Sequence, residues 1–235
     1  MEIAPPATPT NPPEPQGKKG DPKWMITAEC QMLVVPQKLA IGLITELGDN
    51  EKMEAAWGRV QKLVDEGQIE LLALLHLKGD EGGRMVAETV EKVRYPNDHI
   101  PPQLPDQGAQ PKDVEILKAW PSVGITPTNF QDQNVGQTLE LEATVSDDGQ
   151  WIDTNVVAEH IRLPRWMKFD AGRLANGERI SFEQPFFHSM KNIANLRIRN
   201  AQLVLVGVHR VPGPDEKSFE LFILRVKATE NTFSK

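Results

Sequence analysis

Residues 135–153 read VGQTLELEATVSDDGQWID. Leu139, Leu141, Ala143 and Val145 alternate with Glu140, Glu142 and Thr144, the period of a strand with one buried and one wet face. The alternation breaks at Ser146-Asp147-Asp148-Gly149 and resumes at Trp151-Ile152, as in a β-hairpin closed by a glycine-containing turn. Nothing in the stretch is placed for chemistry. Its apolar face covers a core, while Glu140 and Glu142 keep the other face wet or available to a partner.

Working upstream, Trp24, Ile26, Ala28, Cys30, Met32 and Val34 share one face of a strand, with Thr27, Glu29 and Gln31 opposite. Cys30 lies on the apolar face, where cysteine packs as a small hydrophobe. Pro36 suits the first turn of a helix whose apolar face is Leu39, Leu43, Ile44 and Leu47 and which ends at Gly48. Asn50 is placed to cap a second helix, from Glu51 to about Glu66, with Met53, Ala56, Trp57, Val60, Leu63 and Val64 at helical spacing. Gly58 inside it costs up to ~1 kcal/mol, several-fold less than burying its large side chains returns. Strands are expected at Ile69–Leu77 and Arg84–Tyr95, joined by a turn at residues 78–83.

Downstream of the opening hairpin come a loop bearing Trp and Arg at 161–180 and strands at Asn192–Arg199, Gln202–Val208 and Ser218–Lys227. The order predicts an α+β domain, mainly antiparallel or mixed β-sheet with two N-terminal helices packed on it. Residues 1–22, with seven prolines, have almost nothing to bury and are expected to be a disordered tether. The domain runs from 23 to 229, with 230–235 as a tail. Prolines 96, 101, 102, 105, 111, 121 and 127 mark 96–134 as a connection, leaving room for one short strand near Val114–Trp120.

Composition narrows the function. The 235 residues carry a net charge of −7 and no cluster of Lys and Arg, which argues against a nucleic-acid binder. A single cysteine excludes an intrachain disulfide. The longest apolar runs, such as Leu203–Val208, fall far short of the ~20 residues of a spanning helix. No secretory signal follows Met1; a Met before a Pro-rich leader is what trimming of such a signal would leave.

In this order the segments resemble the C-terminal homology region of bacterial secretins, the ring proteins of type II and type III secretion and of type IV pili. The opening strand MITAECQMLVVP and its two helices match loosely. IELLALLHLKGDEGGRMVAETVEKVRYP resembles that family's strand, glycine turn and strand ending in aromatic-Pro. Val135, Gly136, Leu139, Leu141, Asp148 and Gly149 fall in the places of its next motif, and Pro185, Phe187, Gln202 and Gly207 in those of its last. The resemblance spans about residues 24–210 and rests on the order of weak motifs. The departures are an absent proline in LLALLHLKGD, Gly207-Val208 for Gly-Gly, and Asn200-Ala201 for the Asp-Gly turn. Between Tyr95 and Val135, where ring-forming members insert long amphipathic hairpins, prolines would remove ladder donors every few residues.

The resemblance therefore implies a secretin-like domain without the pore. Such a chain would be a non-enzymatic structural or assembly component of a bacterial cell envelope, in a type IV pilus or type II secretion-like system. It would sit in the periplasm or at the outer membrane, bind envelope, pilus or secretion proteins, and not span the membrane. The alternative is a surface-displayed adhesin or module that binds a host protein or glycan.

No cofactor or metal site is expected, since His76, His99, His160, His188 and His209 make no ligand spacing with one another or with Cys30. Glycines 79, 82 and 83 lack the GK[ST] of a phosphate loop. A hydrolase would need Asp153 and His160 to converge on a nucleophile. For partner binding the candidates are Phe186 and Phe187, only one of which a strand can bury on a given face, and Trp166 in the neighbouring loop. The apolar last strand, 219–226, is either an edge open to another chain or a buried central strand.

Overall fold

The computed structural model describes residues 23–100, 125–173, 179–213 and 217–231, apart from the side chain of Pro164. The tether, the expected strand near Val114–Trp120 and most of the C-terminal tail lie outside them. The elements are β1 (Trp24–Pro36), α1 (Gln37–Leu47), α2 (Met53–Asp65), β2 (Glu70–Asp80), β3 (Arg84–Ile100), β4 (Thr126–Val145), β5 (Trp151–Arg173), β6 (Arg179–Arg199), β7 (Leu203–Arg210) and β8 (Ser218–Glu230). The α+β class and the two helices hold. The strands divide into two antiparallel four-stranded sheets, ordered β2-β1-β8-β7 and β3-β4-β5-β6.

Two short turns make that division. Residues 81–83 do not pair β2 with β3; they carry the chain from one sheet to the other, with the Glu81 and Gly82 N–H groups donating to the carbonyls of Trp24 and Ala143. Residues 200–202 do the same between β6 and β7. The sheets face each other across Ile26, Ala28, Cys30, Met32, Leu75, Leu139, Leu141, Ile152, Val156, Phe222, Leu224 and Val226. The alternation read at 139–145 is thus the inner face of β4.

A second core lies on the far face of the first sheet, where α1 and α2 cover Leu33, Val35, Leu203, Leu221 and Ile223. At this end β1 and β8 are buried on both faces, so their sequences lose the polar alternate. The bulge at Met32/Leu33 lies in the same stretch of β1. β8 pairs with β1 on one side and β7 on the other, so the last strand is central and has no open edge. Each large side chain it buries contributes ~1.5–3 kcal/mol.

α1 ends at Gly48 as expected. α2 starts at Met53, two residues later than Asn50 would place it, and Lys52 is its N-cap. Asp49 does the local work instead: its Oδ1 accepts the Glu51 N–H at 3.0 Å and its carbonyl accepts those of Lys52 and Met53. The Asn50 amide oxygen is engaged by Gln202 at 3.1 Å.

The largest departure from the sequence reading concerns the strands of the second sheet. β3 continues through Pro96 to Ile100, and β4 begins at Thr126, so strand occupies 96–100 and 126–134 of the stretch read as a connection. Nor are the described residues of 161–180 a loop: 161–173 belong to β5 and 179–180 to β6, with pairs as far as Arg173–Arg179. Prolines are tolerated at open edges: Pro96 lies on β3, the edge strand of the sheet, and Pro127 lies where β4 has run past β5.

Candidate interaction surfaces

The β4–β5 ladder stops at Gly136–Ile161, while β3–β4 pairing continues to Ile100–Thr126 and β5–β6 pairing to Arg173–Arg179. Beyond that point two separate hairpin arms leave the sandwich, one formed by 91–100 with 126–135, the other by 162–173 with 179–188. Gly136 is the branch point. Its φ is 137°, and a Cβ there would lie 2.1 Å from the Thr89 carbonyl oxygen, so only glycine fits.

The arms touch through rings. Tyr95 meets Phe187 at 5.5 Å between centroids, His99 meets Phe182 at 4.6 Å, and the Gln184 side chain donates to the Pro96 carbonyl at 3.1 Å. Other rings face outward. Of the ten exposed large hydrophobics among the described residues, Ile100, Phe130, Trp166, Phe169 and Phe186 lie on the arms. Guanidiniums shield some of them: Arg94 lies over Phe130 at 5.3 Å and Arg165 over Phe186 at 5.4 Å. Of the adjacent phenylalanines, Phe186 is exposed, while Phe187 is half-buried and meets Tyr95 of β3. Trp166 pairs with Pro185 across the hairpin and is 45% exposed.

Where the arms join the sandwich, polar side chains bridge the two sheets. His160 of β5 and Glu220 of β8 are both buried, with Nδ1 2.9 and 3.0 Å from the two carboxylate oxygens. Beside them His209 Nε2 of β7 lies 3.0 Å from Asn192 Oδ1 of β6, and the His209 ring meets Phe222 edge-on. The Asn192 oxygen lies so close to β7 that a Cβ at Gly207 would sit 1.7 Å from it. Asn192 Nδ2 is buried with no partner among the described residues. Strand parity already puts His160 inward with Val156 and Ala158; its partner, 60 residues later, carries no sequence signal.

Catalytic candidates do not converge. Asp153 faces out, 3.9 Å from Arg197, and an odd spacing on one strand puts His160 on the opposite face. His76 is exposed on the edge strand β2, and among the described residues no group of three or more His, Cys, Asp or Glu could hold a metal. Burial, with a smaller contribution from Glu29, pushes the Cys30 thiol up to about 12, which makes it inert as a nucleophile. On the outer face Arg84 holds Glu140 with bonds of 2.5 and 2.7 Å, which lowers the carboxyl and raises the guanidinium. In the β4–β5 turn the Ser146 hydroxyl and then the Gln150 N–H lower Asp148.

Solved structures show a distant likeness. It is to secretins. The InvG secretin domain β-barrel from the Salmonella SPI-1 injectisome is 9% identical, with 90% of this chain and 62% of that one covered and a TM-score of 0.39. Aeromonas hydrophila ExeD is 10% identical, with 88% and 47% covered and a TM-score of 0.37. The type II secretin GspD from enteropathogenic Escherichia coli is 9% identical, with 90% and 69% covered and a TM-score of 0.37. The chain thus spans about half to two-thirds of the length of these proteins. Likeness at this level fixes neither family nor activity. No protein-family model matches the sequence, and neither does any curated protein.

Proposed function

We propose that the chain is a non-enzymatic structural subunit of a multi-protein assembly, of the secretion or envelope kind that its ordered sequence motifs resemble, with the two arms as its assembly elements. A type IV pilus or type II secretion-like system in the periplasm or at the outer membrane is the setting this reading favours. One observation carries it. Two strand pairs extend past the core with exposed Phe130, Trp166, Phe169 and Phe186, and among the described residues both margins of their sheet, β3 and β6, lack a strand neighbour. Exposed aromatics beside open strand edges are what a partner chain covers.

The arms also bear on the membrane question. Length is not what limits them. A bilayer-crossing strand needs ~9–11 residues with an unbroken apolar outer face. Lys168 and Asp170 share the Trp166 parity of β5, and Arg94 and Asp98 share one parity of β3 with Asp132 and Asn134 on β4. Such faces suit protein or water, so the arms are assembly elements and not lipid-facing ribbons. Phe187, engaged with Tyr95, belongs to the arm contact, while Trp166 and Phe186 lie on opposite faces of the second arm and offer a partner two separate exposed aromatics.

Mass photometry and negative-stain imaging of the full chain test the reading. Multi-copy particles that dissociate on the double change Trp166→Ser and Phe186→Ser, with circular dichroism unchanged, are expected. A chain that stays monomeric with and without envelope extract would overturn it.

A further inference from the structure

β2 is a margin of the first sheet and, among the described residues, pairs with β1 alone. From 71 to 77 it has no Asp, Glu, Lys, Arg, Pro or Gly; Glu70 stands before this run, and Lys78 and Asp80 follow it. Soluble proteins blunt such margins with charge, proline, a bulge or a covering element. The other three margins are blunted. β3 carries Arg84, Glu88, Glu91, Lys92 and Arg94, and β6 carries Lys191, Arg197 and Arg199 along with Pro185. β7 shifts register at Leu205/Gly207, and the Asn192 amide of β6 lies against Gly207. On β2 the register with β1 skips Leu72, and residues 73–80 then run on without interruption.

The same margin shows apolar side chains. Leu71 is 41% and Leu74 55% exposed, and Val86 on β3 is exposed too. Leu75 faces the inter-sheet core beside Cys30, so Leu74 has the outer parity, next to Gln31 of β1 and two residues before His76, whose β1 neighbour is Glu29. A two-fold joint between copies has to match itself, because the same patch serves both sides. A charged patch repels itself, and copies of a chain with net charge −7 repel on average. An uncharged, leucine-rich strand matches itself instead, through ladder hydrogen bonds and apolar burial. Set antiparallel, the Glu70 end of each β2 meets the Lys78 and Asp80 end of the other. The charges of β2 thus fall at the ends of the joint and none within it.

We propose that a second copy of this chain covers β2, the two strands pairing antiparallel about a two-fold axis and joining two four-stranded sheets into one. The inference does not rest on assembly through the arms. It is tested on the full chain carrying Trp166→Ser and Phe186→Ser, so that dimers seen there owe nothing to those aromatics. Sedimentation velocity should show a dimer, and Leu74→Lys should weaken it at least ten-fold with circular dichroism unchanged, since Leu74 is exposed. Leu74→Cys, His76→Cys and Lys78→Cys, alone or in pairwise mixtures, should yield one combination that forms a disulfide between copies under mild oxidation, while buried Cys30 stays reduced. The proposal is overturned if the chain is monomeric in this background or if Leu74→Lys leaves the dimer intact. A dimer that no cysteine combination links overturns it as well, because another surface would then hold the copies. So does slow hydrogen exchange in the monomeric Leu74→Lys protein at β2 amides that point away from β1, because another part of the same chain would then cover the edge.

Discussion

Removing the carboxylate of Glu220 is the sharpest perturbation the structure offers. Glu220 is 0% exposed and His160 3% exposed, so neither can turn to water when the other is lost. Deleting one member of a buried, hydrogen-bonded pair of this kind costs about 3–5 kcal/mol, because the remaining polar group keeps its desolvation penalty without its partner. In a domain of this size each kcal/mol moves Tm by about 2–4 °C, so Glu220→Ala should lower it by roughly 6–20 °C. His160→Leu alone should cost a similar amount. The double change Glu220→Leu with His160→Leu should recover most of the loss, since replacing both members by apolar side chains is often neutral. Scanning calorimetry with urea unfolding closes this double-mutant cycle. The pair ties the sheets at the root of the arms, so hydrogen exchange along 162–173 and 179–188 should rise in each single variant. Single variants that lose less than about 1 kcal/mol, or effects that simply add, would refute the reasoning.

Two further outcomes follow from the same geometry. Gly136→Ala should destabilise by at least about 2 kcal/mol in urea titration, through positive φ and the collision with the Thr89 carbonyl together, whereas Gly58→Ala, which has open space, should be neutral or stabilising. Asp148, lowered below the usual carboxylate range by the Ser146 hydroxyl and the Gln150 N–H, contributes stability that is present above the unfolded-state pKa of about 4. That contribution is lost as pH falls through the lower folded value. Thermal melts from pH 6 down to pH 2 should show this acid-side loss, and Asp148→Asn should flatten part of it; equal slopes in both proteins would count against the assignment.

Local pattern determined a good deal here. Alternation at 139–145 and at 24–34 named the strands and their inward faces, and the spacing of Leu39, Leu43 and Leu47 and of Ala56, Trp57 and Val60 named the helices. Each of these is a one-dimensional signal, because a side chain's face depends only on its parity or its turn angle. What lay beyond sequence were the decisions taken between segments. A three-residue turn either closes a hairpin or switches sheets, and the choice at 81–83 and 200–202 depends on which face must be buried against which. Prolines 96 and 127 read as breakers because a missing N–H is costly inside a sheet. They cost little on an open edge, which β3 is throughout and β4 becomes once β5 has departed, and only the sheet order and register show this. His160 with Glu220 was equally invisible for the same physical reason: a polar group's partner is set by tertiary packing, and nothing in the chain between them records the distance.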